Sequence, residues 1–287
     1  MKIRAPAKIN LSLRVVGKRA DGYHLLDTIM LPISLYDEVQ IRKVRRGTGP
    51  SKAPSIRVTC DDPQVPDGEK NLAYHAAALL LQKAHRRDSI DIQIRKNIPV
   101  GAGLGGGSTD AAAVLVGVNR LLRLGYSAKR LEKIAVPIGA DVPFFIRARP
   151  ARARGIGDEM TPLRQVARWW LVILYPGIAV STTWVYQHMP AKLTRPSVNT
   201  SIAALLRSFK KLDQLLINDL ETVTLKRYPQ VTGLKDKLVR AGAAAALMSG
   251  SGSAVFGVFG SRRKAESAFR RLRREEGAQA YLAHVLS

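Results

Sequence analysis

Pro99-Val100-Gly101-Ala102-Gly103-Leu104-Gly105-Gly106-Gly107-Ser108-Thr109-Asp110 is the stretch whose reading decides the fold: a glycine-packed loop, closed by hydroxyl residues, that opens into an alanine-rich helix. Glycines let consecutive backbone N–H groups turn toward one point, and the unpaired amides and positive dipole end of the helix add attraction for an anion. Phosphate is the ligand such a loop suits. Gly101-x-Gly103-x-x-Gly106 satisfies the dinucleotide fingerprint letter by letter, but about 20 residues on, where a ribose-binding acid is needed, stand Arg120 and Arg123. No Gly-x-x-x-x-Gly-Lys-Ser/Thr occurs, and neither His-Arg-Asp nor Asp-Phe-Gly accompanies the loop as in protein kinases. The loop is a nucleotide-phosphate candidate outside those families; the competing reading is a plain glycine turn.

Outward from the loop, Ile90-Asp91-Ile92-Gln93-Ile94 alternates as a strand leading into it, and Ser108–Leu122 reads as the helix that follows. Asn71 caps a helix running to about Lys83. At the start of the chain Ile9, Leu11, Leu13 and Val15 alternate with Lys8, Asn10 and Ser12, which puts Lys8 and Asn10 side by side on one strand face. A turn at Arg19-Ala20-Asp21-Gly22 precedes Tyr23-His24 and apolar runs through Ile33 and Ile41, and Arg45–Ser55 reads as an exposed loop. Downstream, Ser127 caps a helix to Val136, and Gly139-Ala140-Asp141-Val142-Pro143-Phe144-Phe145 is a tight turn entering an apolar segment. Arg147–Arg154 and Gly155-Ile156-Gly157 read as a boundary. Beyond it Leu171–Tyr175 is a buried strand, and helices are predicted around Ser201–Phe209, Lys211–Thr222 and Val231–Ala241. Ser249-Gly250-Ser251-Gly252-Ser253 is a second glycine-serine turn inside a strand pair, and Ala265, Phe269 and Leu272 give the last helix an apolar stripe for the core.

A chain of 287 residues, 46% hydrophobic, has enough apolar content for one large or two modest domains. Its one cysteine, Cys60, excludes an internal disulfide and makes no zinc site by itself. Met1-Lys2-Ile3-Arg4-Ala5-Pro6-Ala7-Lys8 has no apolar signal-like core and no stretch of 18 apolar residues occurs, so the expectation is a cytoplasmic protein with no membrane partner. The formal charge of +24, from 46 Lys and Arg against 22 Asp and Glu, concentrates at Arg42–Arg46, at Arg147, Arg149, Arg152 and Arg154, and along Arg262–Arg274. These clusters share no zinc-finger spacing, aromatic RNA-binding stripe or helix-turn-helix. Solvated surface charge that steers anionic substrates is the expectation, with no obligatory nucleic-acid partner; a basic nucleic-acid-binding protein is the alternative from another class.

Pro6-Ala7-Lys8-Ile9-Asn10-Leu11, the loop at 99–109 and Ser249-Gly250-Ser251-Gly252-Ser253 resemble, in order and spacing, the three motifs of the GHMP small-molecule kinases. Within that superfamily, Asp21-Gly22-Tyr23-His24, the Gly139–Phe145 string and Gly155-Ile156-Gly157-Asp158 resemble the 4-diphosphocytidyl-2-C-methyl-D-erythritol kinases of the non-mevalonate isoprenoid pathway, over nearly the whole chain. The resemblance implies a two-domain α/β (α+β) fold: residues 1–155 like the second domain of ribosomal protein S5, carrying ATP, and residues 156–287 a ferredoxin-like domain contributing to the substrate site. Periodicity alone gives only mixed α and β. A mevalonate- or homoserine-type kinase of the same superfamily is the nearest alternative.

The implied reaction moves the γ-phosphoryl group of ATP, with Mg2+, to the 2-hydroxyl of a cytidine diphosphate sugar-alcohol. By family position Asp141 is the general base, and Lys8 polarises the hydroxyl and holds that carboxylate; without the resemblance Asp141 reads as a turn residue capping Val142 and Phe144, and Lys8 as a solvent-facing strand lysine. The phosphates are implied to sit on the loop from Pro99, Val100, Gly101, Ala102, Gly103, Leu104, Gly105, Gly106 and Gly107 to Ser108 and Thr109. Ser108 is the hydroxyl placed to meet phosphate or its magnesium, the other metal ligands being unassigned, and Thr109 stands where the family commonly has a second serine. Tyr23 and His24 match the cytosine site, one ring stacking and the histidine reading the base's edge. The second aromatic is Tyr186, matched through Pro176-Gly177 and Ser181–Tyr186, with Trp184 close by, and Asn10 and Thr182 are implied to touch polar groups of the substrate.

Overall fold

The computed structural model describes residues 1–44, 55–164, 166–190, 212 and 215–287. The exposed loop expected over Arg45–Ser55, apart from Ser55, lies outside the described residues, as do the helix expected at Ser201–Phe209 and most of 211–214. The chain packs as two compact units that are not successive stretches: the first holds residues 1–7, 36–100 and 105–148, the second residues 8–35, 101–104 and 149–287. Two long strands, β1 (Lys2–Lys18) and β2 (His24–Val44), contribute residues to both.

In the first unit the far half of β2 pairs antiparallel with β4 (Ser89–Arg95), from Glu38 opposite Arg95 to Val44 opposite Ser89, and β3 (Ile56–Cys60) adds to β4 in parallel. Two helices that cover these strands begin or follow where the sequence signals them. The Asn71 side chain accepts from the Ala73 amide at 2.9 Å and starts α1 (Leu72–Lys83), while α2 (Gly106–Leu121) follows the glycine loop. Ala111, Ala112, Val114, Leu115 and Val118 bury one side of α2. At Gly117 even a Cβ would come within 2.3 Å of the Ile41 side chain, so the missing side chain is what lets the helix lie against the strand. Ser127 caps α3 (Ala128–Ala135), its hydroxyl accepting from the Arg130 amide at 3.3 Å. The expected tight turn at 139–145 closes instead into a short helix, α4 (Val142–Arg147), because Pro143 is placed in its first turn, where no amide donor is required.

In the second unit β2 pairs with β5 (Ala151–Arg154), Thr28 opposite Ala153, and β5 forms a hairpin with β6 (Glu159–Pro162). The cut expected between residues 155 and 156 falls within the turn of that hairpin. A separate four-stranded sheet is built from β7 (Trp170–Tyr175), β9 (Ala245–Met248), β10 (Val255–Phe259) and β11 (Gln279–His284), all its pairs antiparallel, in the spatial order β11-β7-β10-β9. With α5 (Thr182–Gln187), α6 (Glu221–Arg227) and α7 (Gln230–Arg240) between its first and second strands and α8 (Arg262–Leu272) between its third and fourth, this is the ferredoxin-like order. Val172, Leu174, Leu238, Val255 and Phe259 from the sheet and α7 share one core with Ala265 and Leu272 of α8. Each large side chain so buried contributes roughly 1.5–3 kcal/mol.

Some expectations are corrected. The helix read over Lys211–Thr222 is, in its described part, the two-residue strand β8 (Ile217–Asn218), paired in parallel with β1 at Ser12 and Leu13, and helix begins only at Glu221. Tertiary capture explains it: the Asn218 amide donates to the carbonyls of Met248 and Gly250 and its oxygen accepts from the Leu220 amide. Strands β3 and β11 have no counterpart among the expectations: β3, although Ile56, Val58 and Cys60 alternate with Arg57 and Thr59, and β11, whose Gln279-Ala280-Tyr281-Leu282-Ala283-His284 run does not alternate. The solvent-facing reading of Lys8 also fails, since both faces of β1 are covered and Lys8 is 4% exposed. Finally, Arg152 is not a freely solvated charge, for it grips Asp27 with two bonds of 2.6 and 2.5 Å.

Candidate active site

Lys8, Asn10, Ser12 and Thr28 are all buried, on adjacent strands of the second unit. The Lys8 ammonium donates to Asn10 Oδ1 at 2.5 Å, Asn10 Nδ2 donates to the Thr28 hydroxyl at 2.9 Å, and that hydroxyl donates to the Ser12 carbonyl at 2.7 Å. A buried lysine keeps its charge only where oxygens replace lost water, and this line of groups supplies the first of them.

Two glycine turns far apart in sequence meet beside it. Ser249 Oγ donates to the Gly103 carbonyl at 3.0 Å, the Lys8 amide donates to the Leu104 carbonyl at 2.9 Å, and the Ala254 amide donates to the Ala102 carbonyl at 3.1 Å. A Cβ at Gly250 would stand 3.1 Å from the Gly103 carbonyl oxygen and 3.3 Å from Lys8 Nζ. The second turn is itself held from behind: Thr224 Oγ1 donates to the Ser251 carbonyl at 3.0 Å, and the hydroxyls of Thr182 and Ser251 share a bond of 2.8 Å.

At the start of β2 the His24 ring stacks on Tyr186 of α5, with centroids 5.3 Å apart and planes at 24°. Partial burial first, and Lys18 second, push the imidazole below its ordinary range, which keeps it neutral and able to offer both a donor and an acceptor. Tyr23, beside it in the hairpin turn, is 61% exposed.

In the first unit α2 starts at Gly106, and by helix geometry the amides of Gly106, Gly107 and Ser108 have no acceptor within the helix. Thr109 and Asp110 are already buried. Beneath this turn the Lys96 ammonium bonds both Asp110, at 2.8 Å, and Asp37, whose other oxygen accepts from the amides of Asn97 and Ile98 at 2.6 and 2.8 Å. Asp110 Oδ1 is buried with no hydrogen-bond partner. Its burial, offset in part by Lys96 and reinforced by Asp37, pushes the Asp110 carboxyl up to about 7. Asp141, half-buried, occupies the position before α4 without capping it through its side chain, so the turn-cap reading does not hold.

Asp141 and Gly105–Thr109 belong to the first unit, and Lys8, Asn10, Tyr23, His24, Thr182, Tyr186 and Gly101–Leu104 to the second. Within the second, Lys8 is bonded to Asn10, His24 is stacked on Tyr186, and Thr182 is bonded to the second glycine-serine turn. Sequence reading assigned no role to Thr28, Asn218 or the Lys96–Asp37–Asp110 cluster. Asp110 carried a signal, being a lone acid opening an alanine-rich run, whereas nothing in the sequence marked Thr28.

Residues 71–149 match the family model of the GHMP kinases N terminal domain, and residues 201–279 that of the GHMP kinases C terminal. The chain is 49% identical over 277 residues to the 4-diphosphocytidyl-2-C-methyl-D-erythritol kinase of Citrifermentans bemidjiense, covering 96% of each. It is 48% identical over 268 residues to the enzyme of the same name from Geobacter metallireducens, covering 93% of this chain and 92% of the other. A crystal structure of 4-(cytidine 5'-diphospho)-2C-methyl-D-erythritol kinase superposes over 100% of both chains with a TM-score of 0.84 at 34% identity. Homoserine kinase from Cytophaga hutchinsonii superposes with a TM-score of 0.74 at 20% identity, over 100% of this chain and 97% of that one, a likeness of fold alone.

Proposed function

The chain belongs to the 4-diphosphocytidyl-2-C-methyl-D-erythritol kinase family of the GHMP kinases, and from that premise we propose how its residues divide the work. It is an ATP-dependent kinase that phosphorylates 4-diphosphocytidyl-2-C-methyl-D-erythritol, an isoprenoid precursor. Asp141 takes the proton of the 2-hydroxyl as its oxygen attacks the γ-phosphorus, and ADP leaves with the electron pair of the broken P–O bond. Lys8 polarises that hydroxyl. An ionised carboxylate is a weak base, so the proton moves late, once bond formation has made the hydroxyl acidic, as suits a loose transition state. The buried, oxygen-anchored Lys8 is the observation that carries this reading: a cation kept out of water is far stronger toward a developing charge than one on the surface.

The loop from Pro99 to Thr109 is proposed as the ATP phosphate cradle, its free helix-start amides supplying the donors. Among the described residues no three His, Cys, Asp or Glu side chains gather into a metal cage. The hydroxyl oxygen of Ser108, in the first turn of α2, is a hard donor of the kind that Mg2+ carried in on the nucleotide would take, since magnesium keeps several waters and few protein ligands. Bound there, it would offset the negative charge of the phosphates. Neutral His24 reads the cytosine edge while Tyr186 and Tyr23 supply ring faces, and Asn10 and Thr182 meet the substrate's polar groups. No described helix is long and apolar enough to cross a membrane, and dependence on ATP supports the cytoplasm as the site of action.

The test is ADP release by the purified protein offered the cytidyl substrate, mevalonate or homoserine. Turnover dependent on the cytidyl substrate is expected; preference for either other alcohol would overturn the substrate assignment.

A further inference from the structure

The proton arrangement behind Lys8 assigns a role to a residue that touches none of the reacting groups. A threonine hydroxyl has one proton and can accept through its lone pairs. Thr28 commits that proton to the Ser12 carbonyl at 2.7 Å, so its 2.9 Å contact with Asn10 must be one in which the Asn10 amide nitrogen donates. The orientation of the amide follows: Nδ2 faces Thr28, and Oδ1 is turned to the Lys8 ammonium at 2.5 Å. The flipped amide would set an NH2 group against the ammonium, two donors with no acceptor between them. Lys8 is 4%, Asn10 3%, Ser12 8% and Thr28 2% exposed, so water is poorly placed to substitute for a lost partner.

Thr28 is also held in place from its other side. It pairs with Ala153 in the β2–β5 ladder, and the adjacent Asp27 is gripped by both Arg152 nitrogens at 2.6 and 2.5 Å. A hydroxyl fixed this way acts as a template.

We propose that Thr28 is a positioning residue for phosphoryl transfer: by fixing the amide of Asn10 it aims the Lys8 ammonium. The inference rests on the reading of Lys8 as the catalytic cation. It distinguishes Thr28 from a packing residue, because a methyl group of the same shape would fill the space equally well while leaving the amide free to turn.

The experiment compares Thr28→Val, nearly isosteric, and Thr28→Ser, which restores the hydroxyl, with Lys8→Met alongside, using the full chain, ATP and the cytidyl substrate. In Thr28→Val, kcat is expected to fall about tenfold or more while both KM values stay within about threefold, and Thr28→Ser is expected to regain the rate to within about threefold. Three results would each overturn the proposal: a kcat within about twofold in Thr28→Val, a loss confined to KM, or a Thr28→Ser protein as slow as the valine variant. Thermal melts accompany the assays; should the valine variant melt at the assay temperature, Thr28→Ala assayed in the cold gives the same comparison with serine. Lys8→Met separates the two readings. Near-normal turnover there would sink the role of Lys8 itself, whereas an inactive Lys8→Met beside an active Thr28→Val would sink only the inference about Thr28.

Discussion

Gly103 sits where a Cβ would come within 2.0 Å of the Ser249 carbonyl oxygen, and its φ of +77° is one that side-chain-bearing residues avoid. The first glycine turn is therefore locked to the second by contact as well as by the bond from Ser249 Oγ to the Gly103 carbonyl. Gly103→Ala should lower stability by about 2 kcal/mol or more and abolish ATP-dependent turnover, since neither the backbone angle nor the carbonyl can yield cheaply. Gly107 is the control: its nearest neighbour is a Leu72 methyl at 3.6 Å, so Gly107→Ala should keep the melting temperature within a few degrees. Paired thermal melts and ATP titrations check both; a fully stable Gly103→Ala protein would contradict the interlock.

Asp141→Asn should reduce kcat by about 10²–10⁴ while leaving both KM values within a few-fold, as expected for loss of a proton acceptor. A melt on the same preparation shows that the variant is folded at the assay temperature, so that the loss in kcat is read on native protein. Steady-state kinetics decides it, and near-normal turnover would remove the residue from the role of base.

The cytidyl substrate should bind less well in acid, because His24 must be neutral to present an acceptor. Burial and Lys18 place the folded-state pKa of His24 below 6.5, so the neutral form is retained at pH 7 and is lost only as the pH falls below that value. The same shift removes stability in the same direction: protons bind the unfolded chain first, and stability present above about 6.5 declines as the pH falls. KM for the cytidyl substrate, measured from pH 8 to 5.5 in the wild type and in His24→Asn, should rise toward acid only in the wild type. A parallel rise in both would assign the effect elsewhere.

Asp110→Asn should gain on the wild type as the pH rises. With the Asp110 carboxyl pushed up to about 7 from an ordinary 3.8, the folded protein holds a proton that the unfolded chain has already released. Wild-type stability attributable to this group therefore falls between about pH 4 and pH 7, by at most about 1.4 kcal/mol per pH unit, and levels off above. Asparagine has no such dependence, and it leaves Lys96 paired with Asp37. Urea unfolding of both proteins at pH 5 and pH 8 tests the sign; a stability difference that does not change with pH would show that Asp110 is ionised throughout.

What the sequence determined by itself was local. The Asn71 and Ser127 caps, the strand before the glycine loop and the helix after it all lie within a few residues of the signals that announce them, because capping and periodicity act over one or two turns. The motifs around Lys8, Gly103, Asp141 and Ser249 were legible for the same reason: each is a short string with its own chemistry. Tertiary structure decided what those strings become. Asn218 was drawn from an apparent helix into a strand by carbonyls at Met248 and Gly250, some 30 residues away. Lys96, Asp37 and Asp110 became one cluster only because a strand end, a second strand and a helix start converge there. Thr28 gained its place behind Asn10 from the pairing of two strands. Hydrogen-bond direction and burial are properties of groups that meet across the fold, and no spacing along a single chain segment encodes them.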